Sequence, residues 1–285
     1  MTLLTHTIAE YRDAVAARPG TRGVVLTMGA LHEGHAALVR AAREHVGPSG
    51  CVVVTVFVNP LQFGAGEDFD RYPRTLDDDV ALAGKAGADV VLAPGVREVY
   101  PDGGVLTGIT AGPMGAGYEG AARPGHFDGM LTVVAKLLHI TGADVTFFGQ
   151  KDAQQIALVR RMAADLNFPV RIEAVPTVRE PDGLARSSRN RYLSDTERQD
   201  AVALSRALFA GRDALPGGPA AVRSAARAEL DAAAGVTADY LALVDPATFT
   251  DAADDHTGPA VLAVAARVGG TRLIDNLPLA FGDVE

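Results

Sequence analysis

The chain has 285 residues, with 26 lysines and arginines against 35 aspartates and glutamates, a formal net charge of −9. Its length exceeds one average domain, so two domains of unequal size are expected. Apolar residues at 48% and charged residues at 21% are the balance of a globular chain able to bury full cores, and an acidic excess without a basic run argues against a nucleic-acid partner.

In chain order, the first residues carry Glu10, Arg12 and Asp13 in a helical pattern, which is wrong for a signal peptide. No apolar stretch approaches the roughly 20 residues that span a bilayer, so no membrane partner is expected and a cytoplasmic protein is. A buried strand is expected at 23–26, followed by a helix over 33–46. The next strand, 51–58, begins with the single cysteine, Cys51. It cannot form an internal disulfide, and its apolar neighbours make it a buried small hydrophobe rather than a reactive thiol. Helices at 75–86, 126–140 and 152–166 then alternate with strands at 88–92, 145–148 and 170–175. Such alternation predicts an α/β, doubly wound parallel (Rossmann-like) sheet domain over 1–176. At about 177 the texture changes. Arg179 to Gly183 is turn chemistry, and two charged, alanine-rich helices follow at 195–213 and 219–234. Strands near 238–244, 260–268 and 271–280 complete a smaller C-terminal α+β domain over 177–285.

In a doubly wound sheet the ligand lies at the carboxyl ends of the strands, and the chemistry-bearing motifs fall there. The first strand runs into Thr27-Met28-Gly29-Ala30-Leu31-His32-Glu33-Gly34-His35. Gly29 and Gly34 permit close backbone approach, and the helix start offers free N–H groups to an anion. His32 and His35, three apart, share a helical face and could donate to phosphate oxygens as charge moves onto them. Two incidental histidines or a metal pair are the alternatives; a zinc site needs three or four ligands, and no cysteine or third histidine lies at ligand spacing. A P-loop is excluded, because no G-x-x-x-x-G-K-[ST] occurs.

A second group, Phe148-Gly149-Gln150-Lys151-Asp152, ends one strand and opens a helix. Lys151 offers charge to a phosphate and Asp152 an acceptor to ribose hydroxyls, unless the pair is an N-capping aspartate beside a solvated lysine. A third, Arg186-Ser187-Ser188-Arg189-Asn190-Arg191, suits a triphosphate clamp or a plain basic surface loop.

Together these segments carry a resemblance. H-E-G-H at 32–35 is similar to the H-I-G-H signature of class I adenylate-forming and nucleotidyl-transferring folds, with S-S-R-N at 187–190 in the place of their mobile K-M-S-K-S loop. The longer motifs T-M-G-A-L-H-E-G-H (27–35), V-F-V-N-P-L-Q-F-G (56–64), E-D-F-D-R-Y-P-R-T (67–75), H-F-D-G-M-L-T-V-V-A-K-L-L (126–138), F-F-G-Q-K-D-A-Q-Q (147–155) and S-S-R-N-R-Y-L-S (187–194) resemble the pantothenate synthetase (pantoate–β-alanine ligase) family along nearly the whole chain. The resemblance implies an amide-forming, AMP-forming ligase: ATP and (R)-pantoate give pantoyl adenylate and pyrophosphate, and β-alanine then displaces AMP to give pantothenate.

It also implies roles, residue by residue. His32, His35, Lys151, Ser187, Ser188 and Arg189 would contact the phosphates, with His35 the proton donor. Met28, Gly29, Gly149 to Asp152 and Val178 would line the nucleotide, and Arg186 would add charge there in place of an apolar residue. Gln62 and Gln155 would hold pantoate, Val133 and Val134 its dimethyl group, and Asn59, Gln62 and Tyr72 would lie near β-alanine. Asp78 and Asp79 would match acidic positions linked to Mg²⁺, although first-turn helix aspartates are favoured without any metal. Leu26 and Leu82 also depart from the family pattern, and a homodimer is implied. Three rival readings remain. A phosphate-ester nucleotidyltransferase would not be expected to carry Gln62 and Gln155, a class I aminoacyl-tRNA synthetase would want a basic surface, and a non-catalytic nucleotide sensor would be expected to lose His32, His35, Lys151 or Arg189.

Overall fold

The computed structural model describes residues 2–64 and 69–282, so Glu67 and Asp68 of the E-D-F-D-R-Y-P-R-T motif lie outside the described residues. The chain separates into two compact units: Met1–Gly149 with Leu158–Val175, and Gln150–Ala157 with Pro176–Glu285.

The first unit is built on strands β1 (Leu3–Thr5), β2 (Arg22–Thr27), β3 (Cys51–Val56), β4 (Val90–Leu92), β5 (Val145–Gly149) and β6 (Arg171–Val175), interleaved with helices α1 (Ile8–Ala16), α2 (Glu33–Val46), α3 (Leu76–Ala86), α4 (Val96–Val99), α5 (Glu119–Ala122) and α6 (His126–Thr141), and with α7 (Ala153–Asp165) running across the division. All strand pairs are parallel, in the order β1-β4-β3-β2-β5-β6. This is the doubly wound sheet expected from the alternation. The central strands read as unbroken β-branched runs because both faces are covered: Val24, Val25, Val52, Val53 and Val54 are all fully buried. Val25, Val52, Val54, Val91 and Phe147 pack with Ala36, Val39, Ala42 and Val46 of α2 and with Ala83 and Ala86 of α3.

The strand order reverses between β2 and β5. After β2 the chain moves outward through β3 and β4; β5 returns to the other side of β2. That switch point is where a crevice opens at the carboxyl ends of a parallel sheet. The ends that flank it are Thr27 on β2 and Gly149 on β5.

The second unit contains α8 (Asp195–Asp213), α9 (Gly218–Asp231) and the antiparallel strands β7 (Val236–Asp245), β8 (Thr250–Asp251), β9 (Gly258–Val268) and β10 (Thr271–Phe281), ordered β10-β9-β7-β8. A two-residue Gly269-Gly270 turn joins β9 to β10 in the register Thr271↔Val268, with Gly269 at φ +55°, the conformation such a hairpin requires. Leu204, Leu208, Val222, Ala226 and Leu230 of the helices pack on Leu243, Leu262, Val264 and Leu273 of the sheet. α8 begins with a reciprocal capping box in which Ser194 and Glu197 satisfy each other's backbone N–H.

Candidate active site

The turn after β2 is held at several points. Thr27 Oγ1 donates to Thr55 O at 2.6 Å and accepts the Gly29 N–H at 3.2 Å. Gly29 has φ +87° and Ala30 φ +51°, the left-handed region that an alanine enters only under restraint. The restraint is Asp79 on α3. Its carboxylate, 2% exposed, accepts the Ala30 N–H at 3.1 Å and the Leu31 N–H at 2.7 Å, and Thr75 Oγ1 lies 3.3 Å from it. A Cβ on Gly29 would stand 3.0 Å from the same carboxylate.

The turn delivers the two histidines in an order that spacing alone did not show. The two rings are neighbours, but only His35 lies within the helix. His32 is the extended N-cap of α2, and His35 is its third residue. His32 Nδ1 accepts the Gly34 N–H at 3.1 Å, and His35 Nδ1 accepts the His32 N–H at 3.2 Å. The imidazoles thus close a capping box normally made by Ser or Thr with Glu, their rings 4.2 Å apart between centroids. A backbone N–H can only donate, so each Nδ1 is an acceptor and each ring carries its proton on Nε2. Both half-buried histidines are therefore Nε2–H donors at a helix start, where backbone dipoles favour an anion.

A second cluster surrounds the turn Pro60–Gln62 after β3. Asn59 is fully buried and Gln62 is 8% exposed. Asn59 Nδ2 donates to Gly129 O at 3.1 Å and to Gln62 Oε1 at 3.0 Å, and Asn59 Oδ1 accepts from Leu61 N at 3.3 Å and from the Tyr100 hydroxyl at 2.8 Å. The Gln62 carbonyl meets His126 Nδ1 at 3.1 Å and accepts from Arg123 Nη2 at 3.4 Å. Tyr72 is half-buried, its ring against Phe63. Val133 and Val134 are buried in α6, and Met28 is half-buried.

In the second unit, Lys151 is half-buried and Asp152 is exposed, its carbonyl accepting the Ile156 N–H of α7 at 3.0 Å. Asn276 of β10 grips this loop: its Nδ2 donates to the carbonyls of Gln150 at 2.9 Å and Lys151 at 2.8 Å, while its Oδ1 accepts from Gln150 Nε2 at 3.2 Å. Next to it, Asp275 makes a two-pronged pair with Arg179 at 2.6 and 3.0 Å. Burial pushes the Asp275 carboxyl above the usual carboxylate range, a push that Arg179 opposes. Val178 and Arg186 are half-buried, and Arg186 N donates to Val178 O. The Arg186 guanidinium pairs with Glu180 at 3.1 Å. Ser187 caps a 3₁₀ turn, Ser188–Tyr192, by accepting the Arg189 N–H, and leaves Arg189 itself exposed. Gln155 is half-buried on α7. Sequence reasoning missed Tyr100, Asn276 and the bracing by Asp79. Their only signal is polarity in otherwise apolar or helical stretches.

An α/β sheet with an H-x-G-H turn at its switch point defines the class: a ligase or nucleotidyltransferase of the H-I-G-H type. Within that class the chain belongs to the pantoate–β-alanine ligase family, whose model matches residues 3–278, and it is a ligase. It is 57% identical to pantothenate synthetase of Streptomyces avermitilis, across 98% of this chain and 99% of that one. It is 60% identical to the Streptomyces coelicolor enzyme of the same name, across 98% and 96%. The fold is similar to the crystal structure of pantothenate synthetase from Thermus thermophilus, with a TM-score of 0.89, 49% identity and coverage of 97% and 99%. It is also similar to pantoate–β-alanine ligase from Francisella tularensis, crystallised with βγ-ATP and β-alanine, with a TM-score of 0.75, 30% identity and coverage of 97% of both chains.

Proposed function

We propose that the ligase joins pantoate to β-alanine through a pantoyl adenylate, with ATP as co-substrate and AMP and pyrophosphate as products. The observation that supports this reading is the histidine capping box at the start of α2, in which both Nδ1 atoms accept backbone N–H groups and both protons are left on Nε2. A carboxylate is a poor electrophile, so activation must supply a leaving group. A pantoate oxygen attacks the α-phosphorus, the bond to the bridging oxygen of pyrophosphate breaks, and His32 and His35 donate to phosphate oxygens as charge builds there, His35 being the assigned proton donor. Lys151, Ser187, Ser188 and Arg189 complete the phosphate contacts, with Arg186 adding charge nearby. Met28, Gly29, Gly149, Asp152 and Val178 line the nucleotide. Gln62 and Gln155 hold pantoate against Val133 and Val134, and Asn59, Gln62 and Tyr72 lie beside β-alanine. Its amine then attacks the acyl carbon and AMP departs.

The family resemblance implies Mg²⁺, and Asp78 and Asp79 are the positions that would hold it. They do not fit a resident centre. Both oxygens of buried Asp79 hold loop N–H groups, Asp78 is exposed, and among the described residues no three His, Cys, Asp or Glu side chains are grouped to hold a metal. Mg²⁺ is therefore taken as part of the nucleotide substrate, carried by the triphosphate. A cytoplasmic homodimer is proposed on the resemblance; among the described residues no helix is long and apolar enough to cross a membrane.

The test is AMP release with ATP, pantoate and β-alanine, each omitted in turn. AMP should need all three under turnover, and release of ADP and phosphate would overturn the adenylate route.

A further inference from the structure

Asn59 is saturated. An amide has two N–H donors and two acceptor lone pairs, and its four partners are Gly129 O and Gln62 Oε1 on the nitrogen, and Leu61 N and the Tyr100 hydroxyl on the oxygen. Two of these are backbone groups of fixed polarity. Gly129 O can only accept and Leu61 N–H can only donate, so the end of Asn59 that is oxygen is decided without ambiguity. The rest follows outward. The atom of Gln62 that receives the second N–H must be its oxygen, and the Tyr100 hydroxyl must be a donor. The Nε2 hydrogens of Gln62 then have no protein acceptor among the described residues, in a side chain that is 8% exposed. With its oxygen committed to Asn59, Gln62 has only N–H donors left to offer, and a ligand oxygen can supply their acceptor.

The packing around this relay is close. A Cβ on Gly129 would stand 2.0 Å from Leu61 O, so only glycine lets α6 approach the 60–62 turn near enough for Asn59 to bridge them. The Tyr100 ring is 1% exposed, with Lys136 Nζ 5.5 Å from its centroid. Burial pushes the Tyr100 hydroxyl up to about 12, so it remains a proton donor at any working pH.

We propose that Tyr100 is a positioning residue for pantoate recognition, holding the Asn59 amide so that Gln62 presents its N–H₂ group, and never its oxygen, to an acceptor oxygen of the acid substrate. The proposal rests on the reading of Gln62 as a pantoate contact. It makes the subsite selective for an acceptor, such as a carboxylate or hydroxyl oxygen, over a donor such as an ammonium group.

Tyr100→Phe keeps the ring and removes only the donor. Losing one buried hydrogen bond should raise the KM for pantoate roughly tenfold, while the KM for ATP stays within about a factor of two and the melting temperature stays near wild type. Gln62→Ala should raise the pantoate KM as well, and adding Tyr100→Phe to it should then change pantoate KM no further, because the group being positioned is gone. A Tyr100→Phe effect that persists in full without Gln62, or that falls on all substrates alike with a lowered melting temperature, assigns Tyr100 to the core and overturns the proposal. If Gln62→Ala raises pantoate KM and Tyr100→Phe does not, the relay alone fails. If Gln62→Ala leaves pantoate KM unchanged, the pantoate reading of Gln62 fails and the proposal with it.

Discussion

Two atoms of one imidazole have different tasks at His32: Nδ1 caps α2, and Nε2 carries the proton proposed to serve a phosphate. Substitution can separate them. Asparagine is among the best N-cap residues, and its oxygen can take the Gly34 N–H that Nδ1 now accepts, but its side chain is too short to replace Nε2. His32→Asn should therefore keep the wild-type melting temperature while lowering adenylate formation by ~10²–10³, the scale for losing one preorganised donor. A stable variant with normal single-turnover adenylation would reduce His32 to a cap. The buried Arg179–Asp275 pair tests the opposite case, a charge whose loss is felt in folding. Arg179→Ala strands a carboxylate that is 2% exposed, at a cost of about 3–5 kcal/mol at neutral pH. The sign with pH follows from the raised titration of Asp275. A carboxyl that titrates higher when folded favours the folded state below its ordinary range, and that contribution is lost as pH rises through the raised range. Without Arg179 nothing beside it opposes the rise as strongly. The gap in melting temperature between variant and wild type should narrow as pH is lowered from 7.5 toward 5; a gap that widens would refute the assignment.

Between strand and helix, the loop carrying Lys151 depends on a residue 125 positions away. Asn276 satisfies the carbonyls of both Gln150 and Lys151, so Asn276→Ala leaves two acceptors short and lets the lysine's backbone drift. Adenylation should fall about tenfold in Asn276→Ala, against ~10²–10³ in Lys151→Ala, where the donor itself is lost. Equal, near-wild-type rates in folded variants would make the loop a bystander. The same loop marks what sequence could and could not reveal. Elements with a strong period were legible almost to the residue: α2 and α8 span the expected 33–46 and 195–213 because a capping side chain and an apolar stripe agree on where they start. Strands β2 to β5 were legible because burial on both faces leaves a short apolar run, and the edge strand β6, with no buried residue, because Ile172 and Val175 fall in a short apolar segment. β1 was not. Leu3 and Leu4 are exposed on a three-residue edge strand, a signal no stronger than any short apolar pair. The histidines, Gly149-Gln150-Lys151-Asp152 and Ser187-Ser188-Arg189 were visible as motifs on loops. Their supports, Asp79, Tyr100 and Asn276, act over 41 to 126 positions of separation, and local periodicity carries no trace of such partners.

Taken as a whole, the molecule offers no reactive thiol for an acyl-enzyme. Its single cysteine is fully buried in β3, and burial raises its thiol further from the reactive thiolate. The net charge of −9 also disfavours a site that gathers anions by long-range field; over more than about 10 Å such fields are screened at ordinary salt, so contact donors must hold the two anionic substrates in line. Attack then falls to the pantoate carboxylate itself, and the fate of its oxygens reports the mechanism. If that oxygen bonds to the α-phosphorus, it stays with AMP when the amine displaces it at the acyl carbon. Pantoate labelled with ¹⁸O in its carboxylate should therefore pass one labelled oxygen to AMP in each turnover and none to pyrophosphate, as mass spectrometry of the isolated products would read. Omitting β-alanine should still allow pantoate-dependent exchange of labelled pyrophosphate into ATP, because the first half-reaction needs no amine. Label in inorganic phosphate would mean attack at the γ-phosphorus and an acyl phosphate. Unlabelled AMP would mean that water or an enzyme group, and not the substrate, had attacked the nucleotide.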